Sequence, residues 1–209
     1  MAGGPGSGKS YVASAAILPR RAGLKVINSD TNFERALRKI NMSTDLTSLD
    51  PEEMKYAMEL RLKAKLLTSK KMVLSLKGKL GLLLDGTGHD YQGIKKQVLL
   101  LKELGYDAYM VFVNTSKEVA LQRNAERERK VPEELVIERW QEVQENIGKF
   151  QNLFGATSFI IVDNNKKGED SAGLLKRVFI KVDKLIDKPI RNPVGKRCVA
   201  KELEIKNTA

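Results

Sequence analysis

The segment Gly3-Gly4-Pro5-Gly6-Ser7-Gly8-Lys9-Ser10 sets glycines, a lysine and a hydroxyl in the order G-x-x-x-x-G-K-S. Glycines let the backbone curl so that successive N–H groups point inward, a concavity suited to phosphate oxygens. At this spacing Lys9 reaches the β- and γ-phosphates of a nucleoside triphosphate, and the Ser10 hydroxyl is placed to ligate Mg²⁺. A helix over about residues 10–16 is expected to follow, and its N-terminal dipole adds to the attraction for anions. The expected chemistry is the binding of ATP with Mg²⁺, its phosphates cradled by Gly3, Gly4, Pro5, Gly6, Ser7, Gly8, Lys9 and Ser10.

Two carboxylates stand at the ends of apolar runs. Asp30 follows Lys25-Val26-Ile27-Asn28-Ser29, and Asp85 closes Leu82-Leu83-Leu84 and opens Asp85-Gly86-Thr87-Gly88-His89-Asp90. In open α/β sheets ligands bind beyond the carboxyl ends of the strands. A carboxylate in the first place would take the proton of an attacking hydroxyl. One in the second would hold Mg²⁺ through water. The plainer readings are a helix N-cap for Asp30 and a tight turn for Asp85-Gly86. His89, the only histidine, reads as structural.

A third group is Gln122-Arg123-Asn124-Ala125-Glu126-Arg127-Glu128-Arg129-Lys130-Val131-Pro132. Arg123 and Arg127 share a helix face, and Arg129 and Lys130 fall in the loop that follows. A guanidinium over a transferring phosphoryl group is worth about 10³–10⁵ in rate, because charge spreads over its oxygens in the transition state. Glu126 and Glu128 would equally suit a salt-bridged surface helix.

The elements that must position these groups alternate. Buried strands are expected at Leu24–Asn28, Leu80–Asp85, Ala108–Val113 and Phe159–Val162. A helix opens at Asp50-Pro51-Glu52-Glu53, with an Asp cap and Pro at the first helical position, and runs toward Leu76. Others cover Tyr91 to Leu104, the stretch after Thr115-Ser116, the stretch after Pro132, and roughly Ser171 to Ile186. Strand–helix alternation argues for an α/β fold with a mostly parallel sheet. Only Met1 and Ala2 precede the phosphate loop, where a strand belongs. The first strand therefore reads as truncated, from a missing native start, unless another segment fills its place.

In order along the chain, these motifs resemble the polynucleotide kinase / zeta toxin group of P-loop kinases. Residues 3–10 are similar to the Walker A loop of that group. Ile27-Asn28-Ser29-Asp30 is similar to the segment that places the catalytic Asp in phage 5′-polynucleotide kinase, and Asp30-Thr31 with Phe33 to zeta toxin. Asp85-Gly86-Thr87-Gly88 is similar to the zeta-type Glu-Gly-Thr-Gly, with His89 where zeta toxins carry arginine. Residues 118–124, then Arg127 and Val131-Pro132, resemble the lid of the polynucleotide kinases, and Arg123 takes the place of the clamp arginine. The resemblance covers about residues 3–163. It implies a P-loop NTPase-type three-layer α/β/α fold. It also implies a kinase in which Lys9, Asp30, Arg123 and Arg127 are catalytic and Ser10 and Asp85 hold the metal.

Composition bounds the rest. The chain has 209 residues, 42% hydrophobic and 30% charged, with 37 Lys+Arg against 26 Asp+Glu for a net charge of +11. That length suits one domain, here residues 1–187, followed by a basic and loosely ordered tail over 188–209. No apolar run approaches a bilayer span, no secretory leader is visible and Cys198 is the only cysteine, so a cytoplasmic address is expected. The basic excess favours phosphate-bearing partners. Arg61, Lys63, Lys65, Lys70, Lys71, Lys77 and Lys79, with no acidic residue among them, point to a nucleic-acid end or nucleotide as acceptor. Competing readings are an ATP-binding or ATPase module of a larger assembly, and a zeta-toxin-like kinase of a sugar nucleotide.

Overall fold

The computed structural model describes residues 1–17, 23–165 and 169–208. Among the described residues four short strands pair in parallel. β1 (Lys25–Ile27) pairs with β2 (Leu82–Leu84), and β3 (Met110–Asn114) pairs with β4 (Phe159–Asp163). Met1 to Gly3 lie between the two pairs. The Met1 carbonyl accepts from Gly86 N at 3.2 Å, and Gly3 N donates to the Thr87 carbonyl at 3.1 Å. On the other side, Ala2 N donates to Val111 O at 3.0 Å and Ala2 O accepts from Val113 N at 2.8 Å. The spatial order is thus β1, β2, residues 1–3, β3, β4. The slot expected for a first strand is filled by one bridge, Ala2 against Phe112.

Both faces of this sheet are covered, as a parallel sheet requires. Along β3, Val111 and Val113 turn to a cluster with Val12, Ala16, Ile17, Val178 and Val182. Met110 and Phe112 turn to the opposite cluster with Val143, Phe150 and Phe159. The first face carries α1 (Lys9–Val12), its π-helical continuation (Ala13–Ile17) and α7 (Glu169–Ile186). The second carries α4 (Tyr91–Glu103) and α6 (Glu133–Phe154). The result is a mixed α/β fold of the P-loop NTPase type.

Two further helices build a separate packing unit beside β1. α2 (Ser29–Lys39) and α3 (Pro51–Lys77) bury Phe33, Leu37, Leu46, Ala57, Leu60 and Ala64 between them. The Asp50 box forms as its sequence indicates: Asp50 Oδ1 accepts from Glu53 N at 2.8 Å, and Glu53 Oε2 accepts from Asp50 N at 3.1 Å. α5 (Lys117–Glu126) starts at the Ser116 cap.

One expectation is refined and one corrected. The helix after the phosphate loop is α-helical for one turn only and then widens into the π form at Ala13. Residues expected as a loose tail form α8 (Pro193–Thr208). Asn192 Oδ1 accepts from Val194 N at 2.9 Å, with Pro193 at the first helical position. Gly195 lies so close to the Gly105 carbonyl that an added Cβ would come within 2.3 Å of that oxygen, and Lys79 pairs with Glu202. Most α8 side chains nonetheless remain exposed. Among the described residues no helix is long and apolar enough to cross a membrane.

Candidate active site

The phosphate loop is curled and tightly enclosed. Gly8 has φ of 84°, a left-handed conformation, and a Cβ there would lie 2.4 Å from Asn164 Nδ2. A Cβ on Gly6 would lie 2.3 Å from the Ala120 carbonyl of α5. Lys9 reaches back across the loop, donating from Nζ to Gly3 O at 2.8 Å and to Gly4 O at 3.0 Å. Burial lowers the Lys9 ammonium to about 8, opposed by the nearby carboxylates of Asp85 and then Asp30. Ser10 stands exposed in the first turn of α1.

The two strand-end carboxylates meet through Asn28. The register aligns Ile27 with Leu84, so the residues that follow emerge side by side. Asn28 caps α2, its Oδ1 accepting from Asp30 N at 2.7 Å. Its Nδ2 donates to Asp85 Oδ2 at 2.8 Å. Because Asn28 takes the cap, Asp30 lies inside the first turn with its carboxylate turned to other partners. The N-cap reading of Asp30 is therefore set aside. Asp85 Oδ1 is buried with no hydrogen-bond partner among the described residues. An orphaned carboxylate oxygen of this kind fits a hard cation, and a hydroxyl–carboxylate donor set suits Mg²⁺.

The arginine loop closes over Asp30. Arg129 Nη2 lies 3.1 Å from Asp30 Oδ2, and its Nε lies 3.0 Å from Glu34 Oε1. Asn124 staples the loop, donating to Val131 O at 2.8 Å and accepting from Val131 N at 3.3 Å. Arg123 projects from α5 with Nη1 buried and, among the described residues, without a hydrogen-bond partner, 3.7 Å from where a Gly8 Cβ would stand. Burial lowers the pKa of both Arg123 and Arg127, and Arg129 adds to the effect on Arg127.

The charges of Asp85, Asp30, Arg127 and Arg129 all bear on the Lys9 ammonium, which gathers these groups at one site. Arg123 borders it at Gly8. Of the basic run at 61–79, only Arg61 comes to Asp30, with Nη2 3.7 Å from Oδ1 and its guanidinium 5.3 Å from the centre of the Phe33 ring. The lysines of α3 are exposed. His89 turns to Thr87, its Nδ1 against Oγ1, and not to Asp30. Sequence reasoning passed over Asn28 and Asn164 as site residues and left Arg129 as a loop residue. Asn28 carried a usable signal, a capping-type residue directly after a strand run.

The glycine-rich loop, two strand-end carboxylates and an arginine loop thus stand together on a fold of the P-loop NTPase type. The family model for zeta toxin matches residues 1–170, and the chain belongs to the zeta toxin family. It is accordingly a nucleotide-binding, kinase-like enzyme. A comparison with curated proteins gives no match.

Proposed function

We propose that this protein transfers the γ-phosphoryl group of ATP to a hydroxyl of a nucleic-acid end, a nucleoside or a nucleotide. The observation that carries this reading is the meeting of the two strand-end carboxylates through Asn28, which accepts from Asp30 N at 2.7 Å and donates to Asp85 Oδ2 at 2.8 Å beside the glycine-rich loop. ATP phosphates would lie against residues 3–10. Mg²⁺, held by Ser10 and Asp85, would neutralise charge on the β- and γ-oxygens.

Asp30 accepts the acceptor's proton as the new oxygen–phosphorus bond forms and the bond to the β-phosphate oxygen breaks. ADP is the leaving group. Lys9, Arg123 and Arg127 meet the charge that develops on the transferring oxygens. Arg129 occupies Oδ2 of Asp30 at hydrogen-bond distance, while Arg61 stands off Oδ1 at 3.7 Å. Oδ1 is thus the oxygen open to an incoming hydroxyl.

The zeta toxin family match is equally compatible with a second acceptor, a sugar nucleotide. A labelled-ATP transfer screen across DNA and RNA 5′ ends, nucleosides, nucleotides and sugar nucleotides separates the two. Label arriving on a nucleic-acid end, nucleoside or nucleotide supports the first reading. Label arriving only on sugar nucleotides replaces it with the second. ATP turnover with no acceptor labelled would reduce the protein to an ATPase module.

A further inference from the structure

Asn164 follows β4 directly and is 4% exposed. Its backbone N donates to the Asn114 carbonyl at 2.9 Å, extending the β3–β4 ladder by one step, so the sheet fixes where its side chain starts. From there Nδ2 donates to the Ser7 carbonyl at 2.8 Å, a buried contact between residues 157 positions apart. Only a donor suits that carbonyl, which identifies the nitrogen end of the amide.

A trans peptide is planar, and its C=O and N–H point in opposite directions. Holding the Ser7 oxygen therefore fixes the direction of the Gly8 N–H. Among the described residues that N–H donates to no acceptor. It belongs to a glycine in the left-handed region, a conformation in which neighbouring amides form an anion-binding hollow. The next residue acts on the other wall. Asn165 Oδ1 accepts from Ser116 N at 2.6 Å, tying down the start of α5, the helix that carries Arg123.

We infer that Asn164 is a positioning residue of the phosphate loop: its amide sets the Ser7–Gly8 peptide so that the Gly8 N–H faces the bound phosphates. The inference rests on the reading of residues 3–10 as a polyphosphate site and extends it to a side chain that the loop motif does not contain. Asn164 touches no reacting atom and works through Gly8.

The test uses the full chain and two probes, Mg-ATP and inorganic tripolyphosphate, which carries no base and needs no acceptor. Asn164→Asp keeps the shape but sets an acceptor against the Ser7 oxygen, and Asn164→Ala removes the contact. Each should weaken both probes by about tenfold or more, the loss expected for a hydrogen bond that orients a donor toward a charged group. The KM for ATP should rise more than kcat falls. In the unsubstituted protein, the Gly8 amide resonance should shift on titration with tripolyphosphate, a result independent of how well the variants fold.

Tripolyphosphate affinity within twofold of the parent in Asn164→Asp, or a Gly8 amide that does not move, overturns the inference. So does a lowered melting point with unchanged affinity in the folded fraction, the pattern of a purely structural residue. A parent chain that binds tripolyphosphate with the Gly8 shift but phosphorylates no acceptor removes the kinase reading and leaves this one standing. A parent chain that transfers phosphate while Asn164→Asp matches it does the reverse, and one that binds neither probe removes both.

Discussion

Arg129 joins the arginine loop to Asp30 by a 3.1 Å contact, and its own side chain is only 12% exposed. The same guanidinium reaches Glu34 one helical turn along α2, so one side chain fastens the loop over two carboxylates. The other oxygen of Asp30, Oδ1, faces Arg61, which stacks over Phe33.

Replacing Arg129 with glutamine should release this fastening. The arginine is largely buried, but its carboxylate partners are about a third exposed, so solvent screening reduces the value of the pairs. The expected destabilisation is about 1–3 kcal/mol, between the surface and buried limits for ion pairs. Urea denaturation measures it. Transfer at saturating substrates should fall while ATP affinity holds. An ATP dissociation constant that rises in step with the loss of rate would show that Arg129 serves the nucleotide instead of the loop.

Asp30→Asn keeps the size of the side chain and removes its ability to take a proton. Phosphoryl transfer should drop by about 10²–10⁴, the usual worth of a general base. ATP binding, measured by titration calorimetry, should stay near that of the parent, because the loop at 3–10 holds the nucleotide. Equal losses in both quantities would assign Asp30 to ATP binding and not to proton transfer.

How much of this site could be read from the chain depends on how local each constraint is. The loop at 3–10 was legible because left-handed glycines and an adjacent lysine are demanded within a few residues of one another. The Asp50 cap was legible for the same reason. Asn192-Pro193 held an equally local signal for α8, a cap followed by Pro, but low apolar content concealed the helix. Asn164 was not legible. Its partner lies 157 positions away, and an asparagine after a strand is ordinary turn chemistry. The basic run over 61–79 was legible as charge but not as position. Composition registers charge but not rotation about a helix, and α3 brings only Arg61 to Asp30.

Asn28 does two jobs that one substitution can separate. Asn28→Asp retains the cap of α2, since Asp caps as well as Asn. It replaces the donor to Asp85 with a carboxylate facing a carboxylate. The variant should melt below the parent at neutral pH. The deficit should shrink as pH falls and one of the pair takes up a proton. Asn28→Ala loses both jobs and should cost about 1 kcal/mol more through the cap, at any pH. Melting curves of both variants across neutral and acidic pH decide the matter. A pH-independent deficit in Asn28→Asp would mean that its side chain no longer meets Asp85.

Lys9 carries the last prediction. Burial holds its ammonium at about 8, against an ordinary 10.5. The unfolded chain therefore binds more protons than the folded one between those values, so the contribution of Lys9 to stability rises with pH across that window and is unfavourable below it. Phosphate oxygens act in the opposite sense to burial, favouring the charged lysine and moving it back toward its ordinary range. Binding ATP at pH 8.5–9 should therefore take up a fraction of a proton. ATP is fully ionised there, and the buried Met1 ammonium, lowered to about 6, has already lost its proton, which leaves Lys9 as the group that responds. Titration calorimetry in two buffers of different ionisation enthalpy measures the uptake as a difference in apparent binding heat. The uptake should fade as pH drops toward 7, where Lys9 is already charged. Equal heats in the two buffers at pH 9, or release of a proton, would mean that the lysine does not meet the phosphates when the nucleotide binds.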